Sequence, residues 1–128
     1  MPEDEIIDCL DLIIESIQLV LERFSIIQVP ADFVVTAEGL TLLDAISMRL
    51  QTIGEIVKRI QKSDPTFLEH YTEIEWDKIA RFRDLVSHHY EHIDHEIVYD
   101  ICKTHIPKLI EVIKKIRNGL SYEYEEET

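Results

Sequence analysis

Apolar residues recur along this chain every three or four positions. Ile6, Leu10, Ile13, Ile14, Ile17, Leu21 and Phe24 form one wide stripe, which predicts a helix from about Glu3 to Ser25. The period breaks between Ile26 and Thr36, a stretch containing Pro30, and that segment reads as a connection. Leu40, Leu43, Ile46, Leu50, Ile53, Val57 and Ile60 then mark a second long helix, roughly Ala37 to Lys62. Gly54 lies inside it, where a glycine costs about 1 kcal/mol relative to alanine, so another helix is expected to come close there.

The pattern continues in shorter pieces. Ser63 or Asp64 can cap a short helix opening at Pro65, because proline at the first helical position gives up no needed donor; Phe67 and Leu68 would pin it to the core. Glu75 to about Ser87 reads as a further helix, with Trp76, Ile79, Ala80, Phe82, Leu85 and Val86 facing inward. Asp94 is a natural cap for a last helix whose Ile97, Val98, Ile101, Cys102, His105, Leu109, Val112, Ile113 and Ile116 stay in register. Pro107 falls inside that helix and is expected to kink it, because the Lys103 carbonyl loses its normal partner. Asn118-Gly119 is expected to end it, giving a domain over 1–118 and a mobile acidic tail over 119–128. No alternation of the β type is visible, so the expected fold is all-α, an antiparallel bundle of four to five helices with short links.

Size and composition sharpen this picture. A chain of 128 residues, 45% apolar and 30% charged, suits one globular domain with a real core. Cys9 and Cys102 have no CxxC neighbour and read as small core residues. The acidic start Met1-Pro2-Glu3-Asp4-Glu5 is unlike a secretory signal, and no apolar run approaches a membrane span, so a cytoplasmic protein without membrane contact is expected. With a net charge of −13, the chain is a poor candidate for gripping nucleic acid over a wide surface, which needs clustered Lys and Arg. The charge is segregated, however. Residues Glu3 to Glu22 and the tail from Tyr122 hold acids and no base, whereas Lys58, Arg59, Lys62, Lys78, Arg81 and Arg83 gather in the middle. Any RNA contact is therefore expected to be local. With three glycines in all, the chain has no phosphate-cradling loop, nucleophile elbow or dinucleotide fingerprint.

The segment Arg83-Asp84-Leu85-Val86-Ser87-His88-His89-Tyr90 carries the most chemistry. It places a permanent cation with planar donors, a titratable imidazole and a phenol near a predicted helix end, a set suited to phosphate chemistry without a metal or other cofactor. On one continuous helix Arg83 and His88 would lie about 140° apart, while Asp84 and His88 would be neighbours, with Asp84 orienting the imidazole. If the helix ends near Ser87, His88 and Tyr90 instead project to the same side of an extended segment. Two plainer readings stand beside these. Arg83 can be a surface ion-pairing residue with His88 and Tyr90 merely packed on the bundle. Alternatively His88, His92 and His95, with His89 near, can line a helical face that holds a metal, although Asp94 as a cap interrupts such a helix and the Glu-x-x-His pairs of di-iron bundles are absent.

Arg83, four residues, His88, one residue, Tyr90 resembles the Arg-x4-His-x-Tyr signature of the HepT-like toxins, the HEPN-domain half of HEPN/MNT toxin–antitoxin systems. Leu50-Gln51-Thr52-Ile53-Gly54-Glu55, Ile74-Glu75-Trp76-Asp77-Lys78-Ile79 and Tyr90-Glu91-His92-Ile93-Asp94 are similar to landmarks of that family in order and spacing, over about Ile6 to Ile116. The resemblance implies a helical homodimer, metal-independent endoribonuclease activity on RNA, and control by a cognate minimal nucleotidyltransferase antitoxin. It also implies that Arg83 and His88 form the catalytic pair and that Tyr90 accepts the adenylyl group. Asp84 stands where family members often have Asn, which puts a negative charge beside the implied phosphate site. A different class of function stays open, that of a non-catalytic helical partner presenting Tyr90 or a substrate to the nucleotidyltransferase.

Overall fold

The computed structural model describes the backbone of residues 1–89 and 92–127, and the side chains of 1–86 and 93–120. Among the described residues six α-helices follow one another: α1 (Glu3–Phe24), α2 (Ala37–Ser63), α3 (Trp76–Ala80), α4 (Phe82–Val86), α5 (His95–Asp100) and α6 (Ile106–Glu127). The fold is the expected all-α bundle. Among the described residues, no helix is long and apolar enough to cross a membrane.

Both long helices form where the apolar period places them. Ile6, Leu10, Ile13, Ile17 and Val20 of α1 are buried against Leu43, Ile46, Leu50, Ile53, Val57 and Ile60 of α2, and α6 packs on the other flank of α1 through Leu109, Ile113 and Ile116. Arg117 fastens that pair at the surface, its Nε donating to Asp11 Oδ1 at 2.7 Å. The link between α1 and α2 contains a 3₁₀ turn, Pro30–Phe33, whose Phe33 is wholly buried. Thr36 caps α2 by accepting from the Gly39 N–H at 2.9 Å. Leu40 departs from expectation, being 46% exposed. The inward position one turn before Leu43 belongs to Gly39, where the backbone of Asp32 and Phe33 lies too close to leave room for a side chain.

Three further expectations are corrected. No helix opens at Pro65: Asp64 closes α2, a turn follows, and a 3₁₀ turn spans Leu68–His70, with Leu68 buried as anticipated. The helix expected from Glu75 to Ser87 is broken at Arg81 into α3 and α4 and stops at Val86. Beyond it the backbone pairs with itself, β1 (Ser87–His89) running antiparallel to β2 (His92–Ile93), an extended ladder that no periodicity announced. The last helix does not end at Asn118-Gly119; α6 continues through both residues to Glu127.

Cys9 and Cys102 are free thiols buried in the core, as expected, and burial pushes the Cys102 thiol up to about 12. Near Pro107 the chain answers the missing donor by winding one π-helical turn, Ile101–His105, in which the Ile106 N–H donates to the Ile101 carbonyl.

Candidate functional site

The motif sits where three elements meet. The α3–α4 corner rests on α2 at Gly54, and a Cβ there would lie 2.9 Å from the Ile79 carbonyl oxygen and 3.2 Å from that of Ala80. The close approach expected of this glycine is thus real, made by the backbone of the corner that precedes Arg83. Trp76 starts the corner, its Nε1 donating to the Tyr71 carbonyl at 2.8 Å, and Gln61 of α2 donates to Asp77 Oδ1 at 3.0 Å. Phe82 is fully buried, so the corner cannot roll without emptying core volume.

Arg83 follows Phe82 and points the other way. Its side chain is 70% exposed, and Nη1 lies 3.8 Å from Oε1 of Glu55 on α2, itself 59% exposed. Sequence reasoning noted Glu55 only as part of a landmark. Its pairing joins residues 28 positions apart, which local spacing does not reveal. Asp84 is exposed on α4.

The strand start explains why the helix stops. The Val86 carbonyl, which a continuing helix would offer to residue 90, instead accepts the Asp94 N–H at 2.9 Å. His88 therefore lies on β1 rather than on the helix. The helix ends at Val86 and the His88 backbone is extended, so the helical i, i+4 relation by which Asp84 would orient His88 does not form; the side to which His88 and Tyr90 project lies outside the described residues. His88 and His92 occupy paired strands while His95 begins α5, so the reading in which they share one helical face is also corrected. Asp94 caps α5 as expected, its Oδ1 accepting from the Glu96 and Ile97 N–H groups at 3.1 Å. The His88 side chain and the whole of Tyr90 lie outside the described residues.

Of the central cations, Lys58, Arg59 and Lys62 are exposed on the C-terminal half of α2, Lys78 is half-buried on α3, and Arg81 and Arg83 are exposed at the corner and on α4. Because α2 packs on both α3 and α4, the segments carrying them are neighbours, while the acidic α1 lies against α2 and α6.

Comparisons with known proteins agree with this layout. The family model Ribonuclease HepT-like matches residues 13–116, a span that contains α2, the corner, the ladder and the start of α6. Over 81 residues the chain is 35% identical to "Putative RNase MJ0127" of Methanocaldococcus jannaschii, covering 63% of this chain and 64% of that protein. It is 33% identical over 111 residues to "Gamma-glutamylcyclotransferase and putative RNase MJ0434" of the same organism, which covers 87% of this chain but 47% of that protein. "Putative RNase TTE0752" of Caldanaerobacter subterraneus subsp. tengcongensis is 30% identical over 107 residues, 84% of this chain and 89% of that one. The chain thus spans less than two thirds of the first two of these relatives and most of the third. No solved structure matches it. On the extent of the model match and the coverage of a relative at 30% identity, the chain belongs to the HepT-like ribonuclease family.

Proposed function

We propose that the protein is a metal-independent endoribonuclease, the toxin of a toxin–antitoxin pair, in which Arg83 and His88 are the catalytic pair and nucleotidyl transfer to Tyr90 is the control. The observation that carries the reading is the placement of Arg83. It is an exposed guanidinium on a corner locked to α2 through Gly54 and Phe82, and four residues later the chain enters the strand that bears His88. Family membership and the names of the relatives support ribonuclease chemistry in the same direction.

In this mechanism the RNA 2′-hydroxyl attacks the adjacent phosphorus, and the bond to the 5′-oxygen breaks. Arg83 offers its planar N–H donors to the phosphate oxygens as charge builds there. His88 exchanges the proton, either taking it from the 2′-hydroxyl or giving one to the leaving oxygen. One imidazole cannot readily do both in one step, so the proposal includes a two-fold dimer that brings two motifs together and supplies the second. Such a dimer also doubles the local positive charge, which an acidic chain needs in order to hold RNA. Adenylylation of Tyr90 by a minimal nucleotidyltransferase would add a bulky anion to the motif and block substrate by volume and by charge.

The test of the control step is Tyr90→Phe. This variant keeps the ring and loses the acceptor hydroxyl, so it should cleave RNA and stop growth in the presence of the active nucleotidyltransferase. If that partner silences Tyr90→Phe as readily as the wild type, Tyr90 is not the point of control.

A further inference from the structure

We propose that Glu55 is a positioning residue for the reaction: it holds the Arg83 guanidinium at the face of the α2–α4 corner so that the phosphate meets an arginine already oriented. The inference rests on the ribonuclease reading and adds to it a residue from a different helix. Three observations support it. Arg83 Nη1 and Glu55 Oε1 are 3.8 Å apart, across two elements. The backbones carrying them cannot drift, because Gly54, next to Glu55, abuts the Ile79 and Ala80 carbonyls, and Phe82, next to Arg83, is fully buried with its Cβ 3.5 Å from where a Gly54 Cβ would stand. Finally, both side chains are more than half exposed, and exposed ion pairs contribute little to folding. Fold stability therefore gives little reason for a carboxylate here, in a site whose partner is an anion. Restraint of Arg83 does give one, since a long free side chain must otherwise be ordered as the transition state forms.

Glu55 in this role differs from a residue that binds RNA. A carboxylate beside the phosphate repels it, so removing Glu55 should leave KM unchanged or lower it, while kcat falls. For Glu55→Ala a fall in kcat of about tenfold is expected, within the range over which misplaced groups slow reactions. Glu55→Gln, which retains an oxygen able to accept from the guanidinium, should recover most of it. In an Arg83→Ala background, Glu55→Ala should have no further effect, because the residue acts only through Arg83.

The experiment measures kcat and KM on an RNA substrate for wild type, Glu55→Ala, Glu55→Gln, Arg83→Ala and the double variant. In parallel, ¹⁵N relaxation of the Arg83 Nε–H group is recorded in the free protein. A selective loss of kcat that vanishes in the Arg83→Ala background, together with a looser Nε–H group in Glu55→Ala, is the predicted result. Unchanged kcat in Glu55→Ala, or a loss that persists without Arg83, overturns the proposal. If the wild type cleaves no RNA, the ribonuclease reading fails by itself. The relaxation measurement still decides the restraint: equal Arg83 mobility in wild type and Glu55→Ala shows that there is none.

Discussion

Phe82 and Arg83 are adjacent and have opposite fates, one sealed in the core and the other turned to solvent. The division follows from chemistry alone, since the ring gains by leaving water and the guanidinium loses unless it is paired. Arg83→Lys tests whether charge is sufficient. It keeps the cation but loses the planar donor pair, so cleavage should fall strongly with little change in melting temperature. The buried thiols offer a second check at this scale. With Cys102 pushed up to about 12, the native protein should give almost no reaction with a thiol reagent at neutral pH, and both thiols should react once denaturant is added. The sign of the linkage is also fixed. The Cys102 thiol of the folded protein titrates above the ordinary 9.0, so its contribution to stability is whole below pH 9 and is lost as the pH rises from there towards 12. A chemical-denaturation series over that range should show the decline, and it should be shallower in Cys102→Ala.

At the scale of elements, Gly54 decides where the motif sits. Alanine there would favour helix by about 1 kcal/mol in isolation. Its methyl would nevertheless meet two backbone carbonyls at 2.9 and 3.2 Å, and backbone cannot swing aside as a flexible side chain can. Gly54→Ala is therefore expected to destabilise, by about 1–3 kcal/mol as overpacked sites do, and to lower activity by moving the corner that carries Arg83. An unaltered denaturation midpoint would show that the contact has slack. The same glycine shows how much could be read from sequence. The 3.6-residue period of α1 and α2, the capping of α5 by Asp94 and the close approach at residue 54 were legible because each depends on near neighbours or on one residue's backbone preference. The break at Arg81, the end of α4 at Val86 and the pairing of β1 with β2 were not. They depend on a hydrogen bond from Asp94 to Val86 and on packing of Ile79 and Ala80 against Gly54 of α2, neither of which a helical period reveals. For the candidate site, the motif residues were legible as chemistry, but the helical neighbourhood of Asp84 and His88 was not what forms, and Glu55 could be found only in three dimensions.

At the scale of the whole molecule, the proposed function sets an acidic protein to act on a polyanion. Seven of the 26 acids lie on α1 and four beyond Leu120, two stretches that hold a single base, whereas the exposed Lys58, Arg59, Lys62, Arg81 and Arg83 lie on α2 and the corner packed against it. Pairing two copies through the motif would bring two sets of these cations together and complete the proton-transfer set. Multi-angle light scattering should then report about twice the 15.1 kDa of one chain; an active protein that is strictly monomeric would remove the composite site. Activity should also fall steeply with added salt, because a small cationic patch is screened over about 10 Å at 0.1 M.

Whether Arg83 and His88 cleave RNA without a metal can be read from RNA cleavage in excess EDTA by the wild type and by His88→Ala. The wild type should cleave undiminished and the variant should lose about 10²- to 10⁴-fold, the usual contribution of a general acid–base group, with both proteins equally folded by circular dichroism. Cleavage abolished by EDTA and restored by zinc or manganese, or a folded His88→Ala variant as active as the wild type, would contradict metal-independent cleavage by this pair.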